Sequence, residues 1–242
     1  MKRFTSILLI MLLAISLVGC NNQNQNNESA PVSYREELES IINKEKGKEF
    51  YYDGINQNYS HIVHVTEIEK KPELTIVKMD GVLMNTIEES ELAQRNFNVQ
   101  YVIDNNSIRE NIQNYDIHKT DGNAETVNSI IPNQVILQGP LEEGNLWFQK
   151  FNYNGKEYTA KTTLTTVSKN QENKKIYKTE TAVEDIKGFL NNTYTETRTY
   201  EEGNGLVAFQ NNQPVIVENN KSKEKPVFRY TLSSIRKIEN NK

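Results

Sequence analysis

Three regimes of hydrophobic patterning divide the chain. Residues 4–18 are almost wholly apolar, reading Phe-Thr-Ser-Ile-Leu-Leu-Ile-Met-Leu-Leu-Ala-Ile-Ser-Leu-Val. Residues 21–27 are only Asn and Gln, and the polar run continues to Pro31. From Ser33 the spacing becomes regular. Tyr34, Leu38, Ile41 and Ile42 recur at i, i+4, i+7 and i+8, which predicts one face of a helix over Ser33–Lys46. Ser33-Tyr34-Arg35-Glu36 fits a capping box, and Gly47 fits a left-handed stop.

Beyond Glu49 the period shifts towards two. Strands are predicted over Tyr59–Glu69 and Leu74–Val77, with Asp80-Gly81 as a hairpin turn and Val82–Ile87 as its return. Glu88–Asn96 reads as a short helical turn, and Tyr115–Ser129 as a loop. Phe97, Val99, Tyr101 and Ile103 alternate with mostly polar residues, a half-buried strand that turns at Asn105-Asn106 and returns over Ser107–Asn114. Val135–Leu137 follows. Trp147, Gln149, Phe151 and Tyr153 then lead into the hairpin signal Asn154-Gly155, with Lys156–Val167 returning. Lys175–Ile186 and Thr193–Tyr200 form a further pair, and Gly205–Phe209, Val215–Glu218 and Phe228–Ile238 complete the set. Many short strands between polar turns predict an all-β, mainly antiparallel fold, a curved sheet or open barrel. Glu45-Lys46-Gly47-Lys48-Glu49-Phe50-Tyr51 is echoed by Glu142-Glu143-Gly144-Asn145-Leu146-Trp147-Phe148. The echo predicts two similar β-rich halves, residues 33–132 with the helix and residues 133–242.

The first regime has a targeting role. Lys2 and Arg3 precede the apolar run, which ends in Leu17-Val18-Gly19-Cys20. About fifteen apolar residues fall short of the roughly twenty that span a bilayer as a helix, and the arrangement is that of a secretory signal. Leu-Val-Gly-Cys resembles the lipobox of bacterial lipoproteins. That resemblance implies cleavage after Gly19 and a diacylglyceryl group on Cys20, the only cysteine in the chain. Residues 1–19 are then a signal peptide, and residues 20–32 a lipidated Cys and flexible tether. Two acyl chains anchor stably where one does not, so the expected location is the extracytoplasmic face of a cell membrane. The alternatives are an ordinary anchor and a free thiol.

Composition narrows the partners. The formal charge of −4 becomes −6 once Lys2 and Arg3 are removed. An acidic domain argues against nucleic acid and against peripheral binding to anionic lipid. Only 36% of residues are hydrophobic, yet there are 12 Tyr and 8 Phe, which suits a pleated, half-buried surface. A second cysteine is absent, so no disulfide staples the fold.

Phe50-Tyr51-Tyr52-Asp53-Gly54 and Asn58-Tyr59-Ser60 resemble the first part of a family of uncharacterised lipoproteins from Gram-positive, clostridia-like bacteria. So does the run from Ile136 to Trp147, and Tyr200-Glu201-Glu202-Gly203-Asn204-Gly205-Leu206-Val207 is similar to that family's ending. The resemblance covers roughly residues 47–238. It implies an extracytoplasmic β-rich domain and brings no catalytic residue. Ile186-Lys187-Gly188-Phe189-Leu190 departs from it, where a more regular hairpin is expected.

Little chemistry is legible. His61 and His64 are three apart on a strand and point to opposite faces, and His118 lies far along the chain, so no metal site is expected. No nucleophile motif or phosphate-binding glycine loop occurs. Glu142-Glu143 and Glu201-Glu202 are acidic pairs of the kind chance supplies among 32 acidic residues. Asn58-Tyr59-Ser60 and the Asn191-Asn192-Thr193 stretch match glycosylation patterns by chance. Trp147 is expected to fill the core with its indole N–H on a backbone carbonyl, with a ligand platform as the sharper alternative. No cofactor is expected. The leading reading is a non-enzymatic binding module for an envelope protein, a polymer or an apolar ligand. A structural or assembly lipoprotein is the alternative, and a hydrolase using acidic residues stands behind both.

Overall fold

Alternation is what the strands of this chain have in common, and a single closed-up sheet is its consequence. The structure, a computed structural model, describes residues 32–54, 60–84, 95–113, 128–218, 221–223 and 227–237. After the helix α1 (Arg35–Ile41) come β1 (Lys48–Gly54), β2 (Ser60–Lys70), β3 (Thr75–Met84), β4 (Arg95–Ile103), β5 (Ser107–Gln113) and β6 (Gln134–Gln138). Then follow β7 (Leu146–Tyr153), β8 (Lys156–Lys169), β9 (Lys175–Val183), β10 (Tyr194–Glu201), β11 (Gly205–Asn211), β12 (Ile216–Glu218), β13 (Lys221–Lys223) and β14 (Phe228–Lys237). β12 and β13 form a separate two-stranded ribbon. The other twelve make one sheet in the order β6-β5-β4-β3-β2-β1-β14-β11-β10-β9-β8-β7. Every pairing in it is antiparallel.

The predicted all-β curved sheet or open barrel of two similar halves is the fold observed. Two six-stranded meanders, β1–β6 and β7–β11 with β14, meet where β1 pairs with β14. The internal echo is structural: Gly47 (φ +80°) and Gly144 (φ +90°) each make the left-handed turn shortly before the first strand of a meander. The second and third strands of both meanders are bulged alike. The irregularity lies at Val65/Glu67 against Lys78 in one and at Leu164/Thr166 against Lys178 in the other. Thr66 and Thr165 each donate from Oγ1 to those lysine carbonyls at 3.2 Å. β6, just beyond the expected boundary at 132/133, pairs with β5 of the first meander.

The two outer strands of the sheet, β6 and β7, face each other without a ladder. Side chains bridge the gap instead. Trp147 Nε1 donates to Val135 O at 3.0 Å, and Val135 N donates to Gln149 Oε1 at 2.7 Å. Asn145 Nδ2 donates to Gln138 O and Pro140 O. Edge strands expose unpaired N–H and C=O groups, and this seam satisfies part of them. The expectation for Trp147 holds: it is buried and its indole bonds to a backbone carbonyl.

Helix α1 closes one end of the sheet. Its apolar face is as predicted, with Leu38, Ile41 and Ile42 fully buried in the main core. Its length is not. It spans seven residues and ends in extended backbone at Ile42, not at Gly47. The capping box does not form either; Tyr34 stands at the N-cap without a side-chain bond, and Ser33 Oγ accepts only from Arg35 N, at 3.4 Å. Tertiary bonds replace it: Tyr34 N donates to Asn105 O, Gly203 N donates to Ser40 O, and Asn43 Nδ2 donates to Gly203 O. Arg35 reaches Lys71 O and Pro72 O. These partners sit in the turns β4–β5, β10–β11 and β2–β3, so the helix fastens to the short-turn end. The opposite end carries the connection of residues 184–193 between β9 and β10.

The Asp80-Gly81 hairpin is the other correction. β3 runs straight through both residues, and Val82 continues it rather than returning. The glycine is required by packing: a Cβ on Gly81 would collide with the ring of Phe97 on β4. Glu88–Asn96 reads as a helical turn in the sequence, but Arg95 and Asn96 open β4; the rest of that segment, residues 115–127 of the expected loop Tyr115–Ser129, His118 and residues 1–31 lie outside the described residues.

Candidate functional site

The interior is two apolar clusters separated by a polar belt. The larger cluster contains Leu38, Phe50, Tyr101, Trp147, Leu164, Tyr177 and Tyr200, and the smaller contains Phe151, Ala160, Val183, Phe189 and Tyr194. Each of β7 to β10 passes from one to the other through polar residues. Gln149 lies between Trp147 and Phe151, Thr162 between Leu164 and Ala160, and Thr179 and Thr181 between Tyr177 and Val183. On β10 the row is Tyr194, Glu196, Arg198, Tyr200. Thr162 and Thr181 hydrogen-bond through their hydroxyls at 2.9 Å.

Arg198 is the centre of this belt and only 1% exposed. Its Nη1 donates to Glu110 Oε1 at 2.6 Å, its Nε to Glu196 Oε1 at 3.0 Å and its Nη2 to Gln134 Oε1 at 2.8 Å. Gln134 Nε2 also donates to Glu196 Oε1. Tyr101 donates to Glu110 Oε2 at 3.1 Å, and Tyr194 to Glu196 Oε2 at 2.8 Å. The guanidinium carbon also lies 5.1 Å from the centre of the Phe209 ring. Burial opposes the charge on Arg198, yet Glu110 and Glu196 hold its pKa well above the ordinary arginine value. Burial and the adjacent carboxylates push Tyr101 and Tyr194 well up. Among the described residues, the Tyr200 hydroxyl is the one buried side-chain polar atom without a hydrogen-bond partner.

Beside Glu110 the interior is not full. A cavity of about 30 Å³ is walled by Tyr52, His61, Phe97, Tyr101 and Tyr230 with Glu110. Tyr52 and His61 stack at 4.7 Å, and Tyr230 meets His61 edge-on at 4.7 Å. Glu110, Ile112 and Asn128 also line a second space of about 230 Å³, bounded by residues 128–133. On the outer surface, Phe148 (64% exposed) and Leu146 (41%) project from β7. Phe148 and Tyr158 line an open groove of about 500 Å³, rimmed by Lys156, Lys161, Glu184 and Asp185.

No protein-family model matches the chain, and no curated protein matches it. Two solved structures are similar to it. One is a protein of Bacteroides fragilis named as exported and as having a YmcC-like fold, at 10% identity and a TM-score of 0.45. The other is a protein of Parabacteroides distasonis named as a lipoprotein, at 12% identity and a TM-score of 0.43. Each comparison covers 81% of this chain and 99% of the neighbour. Both come from Bacteroides-type bacteria; a clostridia-like Gram-positive family, which the sequence motifs resemble, is not among these findings. At such identities neither neighbour carries a function or a site over to this chain.

Among the described residues, those singled out in the sequence do not converge. His61 is buried in the aromatic wall, His64 is half-buried on the other face of β2, and His118 and Cys20 lie outside the described residues. Among the described residues, no group of three or more His, Cys, Asp or Glu could hold a metal ion. Glu142 and Glu143 are exposed in the turn before β7. Glu201 meets Lys174, and Glu202 accepts from Lys175 N. The residues that do converge, Glu110, Gln134, Glu196 and Arg198, were not among the candidates. One signal was present. Glu196 and Arg198 stand at period two with Tyr194 and Tyr200, while threonines hold the alternate positions. That places two charges on the aromatic face of a strand.

Proposed function

We propose that the chain is a non-enzymatic binding module, anchored through lipid on Cys20 to the extracytoplasmic face of a cell membrane. The anchor rests on the Leu17–Cys20 motif. The binding reading rests on one observation, the packed interior. Helix α1 and the two apolar clusters occupy the barrel. A pocket for a drug-sized ligand holds roughly 300–1,000 Å³, and neither the interior cavity of about 30 Å³ nor the adjoining space of about 230 Å³ reaches it. A drug-sized apolar ligand therefore has no place inside. What remains for a large partner is the outer surface, where Leu146 and Phe148 expose apolar area on a strand that lacks a ladder on one side. The partner proposed is an envelope protein.

Two carboxylates are buried in the belt, Glu110 and Glu196, and both are tied to Arg198. A hydrolytic pair needs one group free to move a proton at substrate. This supports the non-enzymatic reading.

The test is site-specific photo-crosslinking in intact cells of a host that processes lipoboxes. A photoreactive residue at Phe148 should give a discrete protein adduct that Leu146→Ser weakens. The same probe at Glu67, on the outer face of β2, should not give it. Equal labelling from both positions would sink the outer-face reading.

A further inference from the structure

We propose that the recess at Glu110 is a binding site for a primary ammonium group, the –CH2–NH3+ end of a small amine or of a lysine side chain. The first argument is charge. Among the described residues, the buried charged side chains of the belt are one arginine and two glutamates, Arg198, Glu110 and Glu196. Glu110 also lines the recess, so a cation held there meets an acidic side chain.

The second argument is the wall. Tyr52, His61, Phe97, Tyr101 and Tyr230 surround the cavity at Glu110. Aromatic faces attract cations, most strongly where water is excluded. Glu110 is already bonded through Oε1 to Arg198 and through Oε2 to Tyr101. A carboxylate has about four lone-pair positions, so each oxygen can accept again.

The third argument is size. One water needs about 10–15 Å³ of such space. The inner cavity of about 30 Å³ therefore suits two or three non-hydrogen atoms, an ammonium nitrogen and its first carbon. The adjoining space of about 230 Å³ takes the rest of a short chain. Its lining suits an alkyl stem with a polar end, since Ile112, Ile130, Ile131 and Pro132 lie there beside Asn128 and Ser129.

This site is independent of the outer-face reading, and its test uses a different readout. Full-length protein in a neutral detergent is titrated calorimetrically with butylammonium, with 1-butanol as the uncharged control, and with Nα-acetyl-lysine methylamide. Butylammonium should bind and 1-butanol should not. Binding of the lysine amide as well would make the source a peptide side chain; its failure beside a positive butylammonium would make it a free amine. Glu110→Gln should weaken butylammonium by about tenfold or more, the scale of a desolvated cation contact. That variant loses a buried ion-pair partner, so Ile112→Trp serves as the second. It leaves the belt intact, obstructs the junction of the two spaces and should also abolish binding. No binding of either ammonium probe, equal binding of 1-butanol, or unchanged binding in Ile112→Trp would overturn the proposal.

Discussion

Arg198 on β10 donates to Glu110 on β5 at 2.6 Å, across the interior and between the two meanders. The bond links halves that share a ladder at β1 and β14; Gln134 on β6, bonded to Arg198 and Glu196, and the side-chain seam between β6 and β7 link them as well. Its energetics follow from burial. Removing one member of a buried pair leaves the other charge stranded, at about 3–5 kcal/mol. Arg198→Ala should lower stability by that amount in urea unfolding. Replacing Arg198, Glu110 and Glu196 together with apolar residues of similar volume should cost much less, or nothing. If the triple variant is as weak as the single one, the belt is not a paired-charge problem.

Glu39 gives a prediction in acid. Burial raises its pKa, but hydrogen bonds from Thr75, Lys44 and Arg35 outweigh this and hold it at about 2. The group binds fewer protons folded than unfolded. Its contribution is therefore complete above about pH 4.5 and is lost as pH falls towards 2. Glu39 is partly solvated, so screening reduces the contribution to about 1–2 kcal/mol. Glu39→Gln should lower stability at pH 7 by that amount and flatten its fall between pH 4.5 and 2. An unchanged acid limb would place the acid sensitivity elsewhere.

The seam predicts a local effect of Trp147→Phe. The ring volume is largely kept, but Val135 O loses its donor. An unsatisfied buried carbonyl costs about 1–3 kcal/mol. Hydrogen exchange should rise at Val135 and along β6 more than along β3. A uniform rise over the whole sheet would mean that β6 opens only with global unfolding.

Gly81→Ala tests the reading of β3. The new methyl meets the Phe97 ring, and overpacking of a tight site costs about 1–3 kcal/mol. Phe97→Leu in the same chain should recover part of the loss. A turn glycine would respond otherwise, since removing the ring would then change nothing.

Cys20→Ala addresses the organising motif of the N-terminus. A fatty-acid label should be lost, and the protein should leave the membrane fraction. Retention without label would favour an ordinary anchor.

How far the sequence led depends on the kind of signal. Alternation at Phe97–Ile103 and the Asn154-Gly155 turn (φ +49° and +78°) are local, and the structure keeps both. Asp80-Gly81 carries the same local signal, but its glycine answers to Phe97 on a neighbouring strand. Ser33 and Glu36 have the spacing of a cap, yet Ser33 Oγ accepts only a long bond from Arg35 N, at 3.4 Å, while donating to the Asn105 side chain. In both cases a tertiary partner competes with the local one.

The sequence by itself determined that this is a β protein of two similar halves with one apolar-faced helix. Side-chain period and turn residues act over a few positions and need no distant partner. Tertiary structure alone decided that the sheet curls until β6 meets β7, that helix α1 closes one end, and that Glu110, Gln134, Glu196 and Arg198 converge. Those four residues span 88 positions. A buried charge is tolerable only once its counter-charge has been brought beside it, and only the closed sheet does that.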